Sequence, residues 1–266
     1  MTEAHSTKDD YRERVWDHLE ESGTARFPFP PHGRIPNVAG ADAAADRLAD
    51  TGAWSDAETV KANPDAPQLP VRRAALRAGK TVFVPVPRLS EPDPFLRLDP
   101  ARLAPDEIDD ATTVSGISEY GEPVAPEQVP HVDLIVSGSV LVTPDGGRIG
   151  KGEGYSDLEF AVLADLGAVS SATTVATTVH ESQVREVDAA VFDAHDVPID
   201  LICTPERTVR SREQRDTTAT TQRETTTDEQ SVHSRPAGVD WDALDEDRLA
   251  EIPVLDRLAE DQTADS

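Results

Sequence analysis

Ten consecutive residues carry most of the chemistry that can be read from this chain. Arg148-Ile149-Gly150-Lys151-Gly152-Glu153-Gly154-Tyr155-Ser156-Asp157 combines alternating glycines, cations, an aromatic ring and carboxylates. A β-like run, Val132–Val142, precedes it and a helical pattern begins at Asp157. A glycine-rich loop that opens a helix suits phosphate, because glycine lets the backbone approach the anion and the helix N-terminus favours negative charge. Arg148 and Lys151 strengthen this reading, since lysine is scarce here: only Lys8, Lys61, Lys80 and Lys151 occur. A tight turn is the competing reading. The spacing is neither the nucleotide P-loop G-x-x-x-x-G-K-[ST] nor the dinucleotide G-x-G-x-x-G.

Other residues offer weaker signals. Lys8 and Arg12 stand four apart on a helical pattern and share a face, which is either a solvated surface or a second phosphate contact. Asp157 and Asp200 border apolar elements and are candidate Mg²⁺ ligands beside a triphosphate. For Asp157, charge compensation at a helix N-terminus competes with that role, and for Asp200, simple exposure at a strand edge. His131, His180 and His195 lack metal-ligand spacing and read as structural. Ser137 and Ser139 flank Gly138 without a G-x-S-x-G context, which excludes a hydrolase elbow. Cys203, the single cysteine, sits in an apolar run and is expected to be buried and inert.

The elements that must hold these residues alternate between helix and strand. Helical patterns cover 8–22, with Tyr11, Val15 and Leu19 on one stripe, then 40–51, 70–78 and 157–166. The last places Leu158, Ala161, Val162 and Leu166 inward, and Ser156 and Glu159 fit a capping box. A short helix is expected near Pro105–Asp110. Strands are expected at Val60–Asn63, Thr81–Pro87, Val132–Val136, Thr174–Val179 and Val197–Cys203, with Val140–Val142 continuing or re-entering the sheet. Residues 26–40 are too proline-rich for helix. The pattern predicts an α/β fold, a three-layer sandwich around a mostly parallel sheet, with ligands beyond the carboxyl ends of the strands. Residues 1–205 form the predicted domain. Residues 206–236, rich in Thr, Arg and Glu, read as a disordered linker. Residues 237–266 read as a short amphipathic segment, which could dock on the domain, followed by an acidic tail.

Composition narrows the function. A net charge of −26 opposes a broad basic face for nucleic acid and opposes an anionic membrane surface. Abundant Asp and Glu with few Lys suggest adaptation to high salt, where self-repulsion is screened. No apolar run reaches the ~20 residues of a membrane span, and the N-terminus has no secretory pattern, so a soluble cytoplasmic protein is expected.

Several separated segments, in order, resemble the 5-formyltetrahydrofolate cyclo-ligase (methenyltetrahydrofolate synthetase) family, and most closely its methenyltetrahydrofolate synthase domain-containing branch. They are Phe27-Pro28, His32–Asn37, Val84–Leu89, Arg148–Tyr155, Val179–Val184, Val197–Asp200 and Thr204-Pro205. The resemblance covers most of residues 8–205. It implies a NagB/RpiA/CoA-transferase-like fold and ATP- and Mg²⁺-dependent conversion of 5-formyltetrahydrofolate, a reduced folate, to 5,10-methenyltetrahydrofolate. The family's G-x-G-x-G-Y-Y-D loop falls on Gly150, Gly152, Gly154, Tyr155, Ser156 and Asp157, with serine in place of the second tyrosine. By the same resemblance Lys8, Arg12, Arg148, Lys151 and the loop glycines bind ATP. Arg148 and Lys151 then assist phosphoryl transfer, Tyr155 packs on the pterin, and Asp157 and Asp200 hold Mg²⁺.

The family also carries a substrate-contacting glutamate after its first strand, and the stretch Pro36–Asp42 offers no equivalent. Three other functions follow from the same residues. A nucleotide-binding paralogue without ring closure would bind ATP but not folate. An RNA-associated protein should show RNP-like aromatic motifs, which are missing here. A sugar-phosphate enzyme on the same fold would bind phosphosugar without ATP.

Overall fold

The computed structural model describes residues 6–211 and 235–264. Helix α1 (Lys8–Glu21) begins at a Thr7/Asp10 capping box and is followed by α2 (Ala41–Ala49) and α3 (Gly52–Asp56). Strand β1 (Thr59–Ala62), α4 (Leu69–Arg77), β2 (Thr81–Pro85) and β3 (Phe95–Leu98) come next. Short helices α5 (Ile108–Ala111) and α6 (Val114–Tyr120) lead to β4 (Glu122–Val124) and β5 (Leu134–Val136). The ribbon strands β6 (Leu141–Val142) and β7 (Arg148–Ile149) precede α7 (Tyr155–Asp165). Then come β8 (Thr174–Thr178), β9 (Leu201–Cys203), β10 (Thr208–Arg210), α8 (Glu246–Glu251) and α9 (Pro253–Ala264).

An eight-stranded sheet runs in the order β10-β9-β8-β5-β1-β2-β3-β4. Its centre, from β9 to β2, is parallel, and antiparallel strands close both edges. The alternation of side chains along each strand feeds two separate cores. On one face Val60, Val82, Leu134, Ala176 and Leu201 pack under α2 and α4. On the other, Phe83, Ile135, Val175 and Ile202 pack under α7 and the C-terminal helices. The result is the predicted three-layer α/β sandwich. A third cluster joins Val15, Trp16 and Leu19 of α1 to Ile35, Leu141 and Ile149, and so seats α1 on the ribbon that carries the glycine loop.

The structure corrects two expectations. Leu141 and Val142 do not enter the main sheet; they pair with Arg148 and Ile149 in a separate antiparallel ribbon. The folded core does not stop at 205, because Thr208–Arg210 adds an edge strand to β9. Val239, Ile252, Val254, Leu255 and Leu258 are buried in the same core as α7, so the amphipathic C-terminal segment is docked. Of the predicted linker, 206–236, residues 212–234 lie outside the described residues, and Arg235 pairs with Asp200. Among the described residues, no helix is long and apolar enough to cross a membrane.

Candidate functional site

A cleft of about 690 Å³ opens beyond the carboxyl ends of the parallel strands. Asn63, Pro64 and Asp65 follow β1 into it, Val86 and Arg88 follow β2, and Gly138 follows β5. This is the end at which open α/β sheets bind ligands, since the connections diverge there and leave room. The glycine loop forms one wall and α1 contributes the side chains of Lys8 and Arg12. Lys8, Arg12, Arg148, Gly150, Lys151, Gly152, Gly154, Tyr155 and Asp157 therefore line one cleft.

The loop is shaped by backbone that only glycine adopts without strain. Gly152 has φ +106° and Gly154 φ +73°, and Gly154 is the N-cap of α7. A Cβ on Gly152 would lie 3.3 Å from the Arg12 guanidinium, so the close approach of α1 also needs glycine. Arg12 Nε donates to the Gly150 carbonyl at 2.7 Å and ties helix to loop. The capping box expected from Ser156 and Glu159 is not formed: no side chain caps α7, and Ser156 lies inside its first turn. The first-turn amides thus keep their hydrogen-bonding capacity for an anion.

Arg148 is buried and donates to the Asp157 carboxylate, which also accepts from Val197 N–H at 3.0 Å. Burial alone would depress the Arg148 guanidinium, but Asp157 outweighs it and holds Arg148 above its ordinary value. Burial alone would raise Asp157; Arg148 outweighs it and holds the carboxyl below its ordinary value. Both groups are charged at neutral pH. Lys151 Nζ reaches Glu153 at 2.7 Å across the loop, and Lys8 Nζ reaches Asp196 at 2.6 Å and Asp193 at 3.0 Å. Arg148 Nε and Ser156 Oγ, of two lining residues, are buried and have no hydrogen-bond partner among the described residues.

The floor of the cleft holds residues that the sequence did not single out. Lys61 of β1, 1% exposed, pairs with Glu159 of α7, 4% exposed. Asn63 Nδ2 also donates to Glu159 at 3.0 Å. Beside them, Asp65 lines the cleft with a carboxylate that takes no hydrogen bond among the described residues. Burial pushes the Asp65 carboxyl above its ordinary value, with Lys151 opposing. Asp65 also corrects the search for a carboxylate after the first strand. Pro36–Asp42 precedes β1, and the segment that follows β1 is Asn63-Pro64-Asp65. The short run Val60–Asn63 was legible as the first strand; the carboxylate just beyond it was not singled out. His195, expected to be structural, also lines the cleft, whereas His180 caps the turn at Glu181–Gln183 as a structural residue should.

Asp200 is not in the cleft. It sits at the amino end of β9, where its carboxylate accepts from Val175 N–H at 2.7 Å and pairs with Arg235. That is the opposite end of the parallel strands, so Asp157 and Asp200 do not combine into a cation site. Cys203 is buried and its thiol is pushed up to about 11 by burial, in keeping with an inert role.

Residues 8–205 match the 5-formyltetrahydrofolate cyclo-ligase family. The methenyltetrahydrofolate synthase domain-containing protein of Bos taurus is 38% identical over 253 residues, which is 95% of this chain and 62% of that protein. The Homo sapiens protein of the same name is 35% identical over 253 residues, 95% of this chain and 61% of that protein. The chain thus spans about three-fifths of the length of these curated relatives. The solved structure of Aquifex aeolicus 5,10-methenyltetrahydrofolate synthetase aligns with 85% of this chain and 99% of that chain, at 19% identity and a TM-score of 0.49. With residues 8–205 matched, the chain belongs to the 5-formyltetrahydrofolate cyclo-ligase family.

Proposed function

We propose that the cleft binds ATP and 5-formyltetrahydrofolate and closes the folate ring to give 5,10-methenyltetrahydrofolate, ADP and phosphate. The observation that carries this reading is the N-terminus of α7, which no side chain caps, at a cleft lined by four cationic side chains, Lys8, Arg12, Arg148 and Lys151. This arrangement suits a triphosphate, whose charge the guanidinium, ammonium and amide groups can neutralise together.

The formyl oxygen attacks the γ-phosphorus, and the bond from that phosphorus to the β,γ-bridging oxygen breaks to release ADP. N10 then attacks the activated carbon, loses its proton, and expels phosphate. The first step needs alignment and charge stabilisation more than covalent help from the protein. Lys151 supplies mobile charge by leaving Glu153 for the transferring phosphoryl oxygens. Arg148 supplies fixed charge, since Asp157 and the Gly138 carbonyl, at 3.3 Å, hold its guanidinium in place. Tyr155 offers a ring for the pterin. Asp65 offers an acceptor for the pterin's N–H edge, the role expected of a carboxylate after the first strand. Of the expected magnesium pair only Asp157 reaches the cleft, and its Oδ1 is committed to Arg148 and Val197. The expected Asp157–Asp200 pair for magnesium is therefore not assembled in this cleft, and the protein's own cations neutralise phosphate charge there.

Calorimetric titration with ATP and, separately, with 5-formyltetrahydrofolate tests this assignment. The expected result is saturable binding of both, with Lys151→Ala weakening ATP and Asp65→Asn weakening folate. Binding of ATP alone would favour a paralogue without ring closure.

A further inference from the structure

We infer that Arg248 and Glu251, on a helix beyond the family-matched residues, are positioning residues that hold Tyr155 and the glycine loop at the cleft mouth. The family match ends at residue 205, and α8 lies far beyond it. Yet α8 reaches the loop directly. Arg248 stacks its guanidinium 4.3 Å from the Tyr155 ring centre and donates from Nη2 to the Glu153 carbonyl. The same Nη2 lies 3.3 Å from where a Cβ on Gly154 would stand, so Arg248 covers the N-cap of α7 from outside. One helical turn later, Glu251 comes near the Tyr155 side chain and pairs with Arg88 Nη1 at 3.3 Å. Arg88 itself lines the cleft after β2. The helix that presents both side chains is anchored by Leu249, which packs on the core, and by Ile252, which is fully buried in it.

Each contact falls on a different part of Tyr155 or its support. The guanidinium takes one face of the ring, Glu251 braces the nearby Arg88, and the carbonyl contact fixes the backbone just before the N-cap. A phenol covered on one face and tethered through its loop loses rotamer freedom before a ligand arrives, which lowers the cost of stacking a flat heterocycle on the remaining face. The cation also makes its ring face the favoured one for contact on the protein side. The C-terminal segment is in this sense part of the substrate site. The consequence for substrate choice rests on the cyclo-ligase reading above, while the hold on the loop does not.

The test uses the full chain in four variants: Arg248→Ala, Arg248→Lys, Glu251→Gln and Arg257→Ala. Arg257 anchors the following helix to the Pro92 carbonyl at 2.6 Å, away from the loop, and controls for docking. Without substrate, amide hydrogen exchange at residues 150–156 is expected to rise about tenfold in Arg248→Ala, to recover partly in Arg248→Lys, and to stay at wild type in Arg257→Ala. In turnover, KM for 5-formyltetrahydrofolate is expected to rise about tenfold in Arg248→Ala with kcat within about twofold. Should Arg248→Ala fail to fold, Glu251→Gln carries both readouts in the same direction. Loop exchange unchanged from wild type would overturn the inference, as would an unchanged KM in an active enzyme. If the wild type shows no turnover but Arg248→Ala still loosens the loop, the hold on Tyr155 stands and the cyclo-ligase reading falls.

Discussion

Lys61 of the central strand β1 and Glu159 of α7 form an ion pair buried between sheet and helix, directly beneath the cleft. Lys61 pairs in register with Phe83 on one side and Ile135 on the other, so a charged side chain occupies a row that is otherwise apolar. Such a pair is costly to desolvate and costlier to break. Glu159 also faces the cleft, so the pair fixes the height of α7, and with it the glycine loop, above the sheet.

Lys61→Met is expected to destabilise the fold by about 3–5 kcal/mol, because it strands a buried carboxylate. Lys61→Met with Glu159→Leu should regain most of that loss. Urea unfolding measures both, and a Lys61→Met loss under about 1 kcal/mol would show that the pair does not hold the helix.

Asp65 trades stability for binding. Burial raises its folded-state pKa above the unfolded value, so the folded state holds the proton longer as pH rises. Stability is therefore expected to fall as pH rises from the ordinary carboxylate value through the raised one. Asp65→Asn should be more stable than wild type at neutral pH, and the advantage should vanish in acid. Thermal unfolding across pH 3–8 tests this; a variant less stable than wild type at pH 7 would contradict it.

Lys151→Ala removes a charge that is half-exposed and paired only within its own loop. The fold should be unaffected, while ATP affinity should drop about ten- to a hundredfold, as loss of a charge-assisted contact implies. Unchanged ATP affinity would remove the loop from the phosphate site.

The net charge of −26 should make the fold depend on salt. Unfolding midpoints are expected to rise steeply between dilute buffer and molar KCl, as self-repulsion is screened. Equal stability at both extremes would show that the acidic surface is not a salt adaptation.

The layer order and most elements were legible because short β-branched apolar runs at β1, β2 and β8 alternate with helical segments. The glycine loop was legible because its residues are adjacent in sequence, whereas Lys8 and Arg12 read equally as a solvated face until the family resemblance gave them a role. What stayed hidden depended on contacts across the chain. Glu159 fits a local capping pattern, and only the fold shows that Lys61, on a strand far away in sequence, takes it. Asp65 follows the first expected strand, but a lone aspartate in an Asn-Pro-Asp turn carries no local pattern that marks it as a site residue. Asp200 reads in the sequence as a carboxylate at a strand edge, but strand direction puts it at the end of the sheet away from the cleft. Arg248 sits past a long polar stretch, and its stacking on Tyr155 leaves no local pattern.

The most direct test of the central assignment is absorbance at the methenyltetrahydrofolate band, using the full chain with 5-formyltetrahydrofolate, ATP and Mg²⁺ in concentrated KCl. A rise that requires ATP and is lost in Lys151→Ala and Asp65→Asn is the expected result. No rise, from folded protein that binds ATP, would contradict the ring-closing activity and leave a nucleotide-binding relative of the cyclo-ligases.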